Sequence, residues 1–135
     1  MEFLSLSNKK RRCKNARNYL INWSMDSRSK FQTEAKKFLR NYWQHNIVFE
    51  EFPIVGTRLT LDFYNANKKI AIEVQGRQHT GFVKFFHENR MNFLHQLNRD
   101  KKKERFCELN EITLVTIFEN DIINKDLFES QGVIL

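Results

Sequence analysis

The stretch over residues 59–79, LTLDFYNANKKIAIEVQGRQH, limits what this chain can fold into more than any other. Leu59, Leu61 and Phe63 alternate with Thr60, Asp62 and Tyr64. Ile70, Ile72 and Val74 alternate with Ala71, Glu73 and Gln75. Period-two alternation marks a half-buried strand, and Asn65-Ala66-Asn67-Lys68 is suited to the turn between two of them. A hairpin closed by that loop sets Asp62 opposite Ala71. Glu73 is then diagonal to Asp62 on the same face, roughly 7–8 Å away. Two carboxylates and the Gln75 amide share this face, and the opposite face is aliphatic. Oxygen donors grouped in this way suit a divalent cation.

The flanking segments supply the rest of a single core. Asp26 or Ser27 caps a helix running to about residue 45, with Phe31, Ala35, Phe38, Leu39 and Tyr42 as its apolar stripe. Glu34 flanks that stripe, placed either to pair with Lys30 or Lys37 or to join the hairpin carboxylates. Residues 47–54, IVFEEFPI, read as a strand, and Pro53 near its end suits an edge or a terminus. Val55-Gly56 then turns the chain into the hairpin, giving three antiparallel strands. A loop carrying His79 follows. A helical region over 83–109 comes next, burying Phe86, Phe93, Leu94, Leu97, Phe106 and Leu109. Residues 112–118, ITLVTIF, suit a strand buried on both faces, and residues 120–135 close the chain with a short helix. The expected fold is α/β, a mixed central sheet flanked by helices.

The 135 residues fit one such domain. No apolar run approaches the roughly 18 residues of a membrane span, and an intracellular, cytoplasmic protein with no membrane partner is expected. Cys13 and Cys107 are too few for a disulfide framework and lack metal-ligand spacing, so both read as reduced thiols. Lys and Arg number 23 against 16 Asp and Glu, a net charge of +7. That balance favours a polyanion, with nucleic acid first. Residues 1–25 read as a basic arm whose Lys9, Lys10, Arg11, Arg12 and Lys14 grip phosphates, ahead of a domain over 26–135. Arg77, Lys101, Lys102 and Lys103 extend the same footprint.

Clustered Asp and Glu oxygens suit Mg²⁺ or Mn²⁺, and such an ion beside a basic surface is what phosphodiester hydrolysis requires. With Glu34 on the first helix, Asp62 on the second strand and Glu73-Val74-Gln75 on the third, residues 26–118 resemble the PD-(D/E)XK nuclease superfamily. That family has an α-β-β-β-α-β, restriction-endonuclease-like core. Its Glu-x-Lys is Glu-x-Gln here, so Gln75 stands where the family places a lysine. The run from Glu73 to His79, followed by RDKKKERFCELNEITLVTIF, is similar to the very-short-patch-repair and phage-type homing endonuclease branch. The resemblance implies a Mg²⁺-dependent DNA endonuclease of homing, repair-nicking or junction-resolving type. Asp62, Glu73 and Glu34 would be its metal ligands, and Gln75, His79 and Asp100 would complete the catalytic set. His79 is the leading base. Lys103, about one turn beyond Asp100, is read as a DNA-backbone contact, with replacement of the absent strand lysine as the alternative. Specificity would come from the arm, a homodimer or a partner protein. The competing readings are a non-catalytic nucleic-acid-binding module that keeps this fold, or a phage-type factor acting through protein partners.

Overall fold

Ser29 starts the first helix. Its backbone is extended, and its side chain accepts a hydrogen bond from Gln32 N–H at 3.1 Å, the geometry of an N-cap. The computed structural model describes residues 1–76 and 90–135. Helix α1 spans Lys30–Trp43 and buries Phe31, Ala35, Leu39 and Trp43, with Gln32 and Lys36 beside them. The stripe is therefore turned from the expected one: Tyr42 is exposed and Trp43 is fully buried. Two polar side chains lie on the buried face because carboxylates wait for them on the sheet.

Three antiparallel strands follow as expected, β3 (Val48–Pro53), β4 (Thr60–Asn65) and β5 (Ile70–Gln75). Pro53 ends β3 at the sheet edge, where its missing N–H interrupts no ladder. The β4–β5 register differs from the expected one. Asn65 pairs with Ile70 and Phe63 with Ile72. Asn65 closes the turn as an acceptor for Lys68 N–H at 3.0 Å, so the loop begins one residue later. Asp62 consequently lies directly across from Glu73 rather than opposite Ala71.

Helix α2 spans Arg90–Leu109, and β6 (Thr113–Phe118) pairs parallel with β5. The result is a mixed α/β domain with a four-stranded sheet in the order β3-β4-β5-β6. Being last in that order, β6 buries only Val115 and Ile117 completely, not both faces. Gln131 covers part of its outer edge, accepting from Thr116 N–H at 3.2 Å and donating to Thr116 C=O at 2.8 Å. The short closing helix is present as α3 (Lys125–Ser130), whose Phe128 stacks on Phe38 of α1. These two helices cover one face of the sheet together. The end of α2 and the N-terminal residues cover the other through Phe106 and Cys107.

Residues 1–25 are not a free arm. Strands β1 (Glu2–Leu4) and β2 (Lys10–Arg12) form a hairpin, and Phe3 inserts among Phe52, Tyr64 and Phe106 at centroid distances of 5.6, 6.1 and 5.6 Å. Burying a phenylalanine in this way is worth about 1.5–3 kcal/mol. Asn110 clamps the hairpin by accepting from Leu4 N–H at 2.7 Å and donating to Leu4 C=O at 2.9 Å. Cys13 and Cys107 are both buried and unbonded.

Helix α2 also departs from expectation. Phe106 is buried, Phe93 and Leu109 are half-buried, and Leu94 and Leu97 are exposed. Its sheet-facing side is polar over most of its length, as described next. Phe86 lies outside the described residues. Among those residues, no helix is long and apolar enough to cross a membrane.

Candidate active site

The backbone ladder between β4 and β5 stops at Phe63 and Ile72. One step further, side chains take over its hydrogen bonds. Val74 N–H donates to Asp62 Oδ2 at 2.8 Å, and Asp62 N–H donates to Glu73 Oε2 at 2.9 Å. Each carboxylate thus satisfies a main-chain donor of the neighbouring strand, which a buried strand end requires. The outer oxygens meet cations. Glu73 Oε1 pairs with Lys103 Nζ of α2, and Asp62 Oδ1 lies 3.7 Å from the Arg28 guanidinium. Asp62 is 5% exposed and Glu73 2%. Burial, then the neighbouring Asp62, push the Glu73 carboxyl up to about 8 against the opposing pull of Lys103.

A third carboxylate stands beside them. Glu50 pairs with Phe63 and Phe52 with Leu61, so Glu51 falls across from Asp62. Its φ of 53° is left-handed, a conformation rare outside glycine. Gln32 Nε2 donates to Glu51 Oε1 at 3.0 Å, Thr60 Oγ1 donates to Oε2 at 3.2 Å, and Arg28 lies 3.7 Å from it. Arg28 therefore spans Glu51 and Asp62.

On the α2 side, Gln96, Asp100 and Lys103 follow one another at helical spacing and face β5. Asp100 Oδ1 accepts from Gln96 Nε2 at 2.8 Å and from Gln75 Nε2 at 3.4 Å. The site is thus a strip across the sheet end: Glu51, Asp62 and Glu73 from three strands, then Lys103 and the Gln75–Asp100–Gln96 cluster.

With this geometry in place, the chain can be set against known proteins. It is 30% identical over 94 residues to Uncharacterized protein 033L of Invertebrate iridescent virus 3, covering 66% of this chain and 48% of that protein. It is 37% identical over 59 residues to Uncharacterized protein 307L of Invertebrate iridescent virus 6, covering 44% of this chain and 30% of the relative. Uncharacterized protein 094L of Frog virus 3 (isolate Goorha) is 39% identical over 66 residues, covering 48% and 43%. The chain spans about half or less of the length of these curated relatives. No family model matches it, and no solved structure does.

The structure brings Asp62, Glu73, Gln75 and Asp100 together. It does not bring Glu34, which is exposed on α1 while Gln32 and Lys36 take the buried side. Glu34 is one position off the face that meets the sheet, so the carboxylate across from Asp62 on the side away from Glu73 is Glu51. His79 and Arg77 lie outside the described residues. Lys103, read from the sequence as a DNA-backbone contact, pairs with Glu73. Lys9, Lys10, Arg11, Arg12, Lys14, Lys101 and Lys102 are exposed.

Glu51, Arg28, Gln32 and Gln96 did not stand out in the sequence. The i, i+4, i+7 spacing of Gln96, Asp100 and Lys103 was a usable signal. Nothing local marked Gln32.

Among the described residues no three His, Cys, Asp or Glu side chains converge as a complete metal cage. Mg²⁺ does not need one. It is commonly held by one or two carboxylates, with waters and substrate phosphates filling its octahedron. Asp62 and Glu73 supply two buried carboxylates, and an ion there would take the place that Lys103 and Arg28 hold at their outer oxygens.

Proposed function

We propose that the chain is a Mg²⁺- or Mn²⁺-dependent DNA endonuclease. One observation carries this reading: Asp62 and Glu73 are buried side by side where two strands separate, in a chain of net charge +7. The element order α1-β3-β4-β5-α2-β6 supports a restriction-endonuclease-like core, the order the PD-(D/E)XK resemblance implies.

Asp62 Oδ1 and Glu73 Oε1 would hold the ion, which when bound polarises a phosphoryl oxygen and acidifies a water. The protein's own groups do the remainder. Val74 and Asp62 N–H fix the inner carboxylate oxygens, so the outer pair keeps one orientation. Lys103 offers its ammonium to charge developing on the phosphoryl group. Asp100 is held at Oδ1 by two amides. Its Oδ2, without a partner among the described residues, accepts a proton from an attacking water. These roles require no lysine at position 75.

The Lys103–Glu73 ion pair favours a second reading, a nucleic-acid-binding module whose carboxylate is neutralised from within. Incubating supercoiled plasmid with the chain and Mg²⁺ or Mn²⁺ separates the two. The endonuclease converts it to nicked or linear forms, and Asp62→Ala does not. No metal-dependent conversion of any DNA form by the wild type would overturn the enzyme reading.

A further inference from the structure

A cleft of about 510 Å³ opens where the N-terminal hairpin, the β3–β4 turn and α2 meet. Arg11, Arg58 and Lys102 line it, with the hydroxyl-bearing Ser5, Ser7 and Thr57. The three cations come from three distant parts of the sequence. Among the described residues, none has a carboxylate within 4.0 Å, whereas Lys36 and Lys103 each have one. Like charges held together without a counter-charge repel, and an anion between them relieves the repulsion. The turn is shaped to admit Arg11. Gly56 has φ of 79°, and a Cβ there would lie 2.8 Å from Arg11 Nη1. A larger residue would displace the guanidinium from the cleft.

We infer that this cleft binds the sugar-phosphate backbone of a nucleic-acid strand, several nucleotides from the Asp62–Glu73 pair. The place of the scissile bond rests on the endonuclease reading; the binding itself does not. All three cations are exposed, which suits a polyanion tracked along a surface better than a small molecule enclosed in a pocket. Lys9, Lys10 and Arg12 on the hairpin and Lys101 and Arg105 on α2 are exposed as well. Lys102 lines the cleft while the next residue, Lys103, touches Glu73. Helix α2 therefore joins the two places. Arg58 precedes β4 and lies four residues before Asp62, at most roughly 13 Å of extended chain, about four nucleotide steps at about 3.4 Å each.

The test is fluorescence anisotropy of a labelled DNA duplex with the full chain in EDTA, across a salt series, so that binding is read without cleavage. The double variant Arg58→Gln/Lys102→Gln should weaken binding on the order of ten-fold and flatten the salt slope by about 2, one per lost phosphate contact. Lys68→Gln/Lys69→Gln removes the same charge at the opposite end of β4 and should leave the slope close to wild type. Equal changes in the two double variants, or no change in the first, would overturn the cleft. A wild type that binds through the cleft but never cuts DNA would retain this inference and defeat the enzyme reading. Cutting, with binding unaffected by the cleft variant, would do the reverse.

Discussion

Glu50 and the Asp62–Glu73 pair lie on neighbouring strands, and the fold treats them oppositely. Glu50 is one carboxylate closed in by complementary groups. Lys36 pairs with its Oε1 at 2.8 Å, and Gln32 Nε2 donates to its Oε2 at 3.0 Å together with Ser27. Lys36 is itself 2% exposed and donates to Met25 C=O at 2.8 Å. Asp62 and Glu73 are two carboxylates sharing one enclosed place. Lys103 opposes one of them. Arg28 lies 3.7 Å from the other with a side chain 71% exposed, and so exposed a cation contributes little. A buried charge is tolerated when it is paired. The first group is complete; in the second, two buried carboxylates face one ammonium and one exposed guanidinium, and Glu73 is raised to about 8 by burial and by Asp62. On the proposed reading, a bound cation would let both carboxylates ionise there, which Glu50 does not require.

The largest effects should separate the two groups by kind of loss. Asp62→Ala should lower plasmid cleavage by more than about 100-fold, beyond what loss of an outer-shell partner costs. Glu50→Gln leaves the buried Lys36 without its carboxylate and lowers stability, but at a temperature where the variant stays folded its cleavage should remain within a few-fold of wild type. If Glu50→Gln also abolishes cutting, the contrast between the groups fails. Next, Lys36→Met leaves Glu50 enclosed without its cation and should lower unfolding stability by about 3–5 kcal/mol in urea titrations. Adding Glu50→Gln to it should recover much of that loss.

A smaller effect concerns pH. The Glu73 carboxyl is raised to about 8 from 4.5, so the folded chain holds a proton that the unfolded chain has released. Its contribution is complete below about pH 4.5 and is lost as pH rises to about 8. Thermal melts of the metal-free chain should decline across that window, and those of Glu73→Gln should decline less. Mg²⁺ should restore stability at pH 8 more than at pH 5, where Glu73 is protonated. The smallest effect belongs to Glu34→Ala. This exposed position should shift stability by no more than about 0.5 kcal/mol and leave cleavage unchanged. A large loss of cleavage would return Glu34 to the site.

The order of elements was legible because each has its own period: alternation in β4 and β5, a helical apolar stripe over 31–42, and the β-branched run of β6. The Asp62–Glu73 pair was legible as residues on alternating strands. Their direct apposition was not, because it depends on where Asn65 closes the turn. Glu51 escaped notice because it reaches Asp62 through a left-handed backbone break, which leaves no mark in the alternation. Gln32 and Lys36 look like solvent-facing helix residues until Glu50 and Glu51 are placed beneath them. The first residues of the N-terminal segment read as a basic arm because Phe3 and Cys13, which dock there with Tyr19 behind them, are surrounded by basic residues. In each case the missing information was a tertiary partner distant in sequence.

Calorimetric titration of Mn²⁺ into the metal-free chain at pH 8 decides whether Asp62 and Glu73 form an ion site and Glu50 does not. Saturable binding that Glu73→Gln abolishes and Glu50→Gln preserves is expected. Absence of binding to the wild type, or binding that survives Glu73→Gln, would contradict that site.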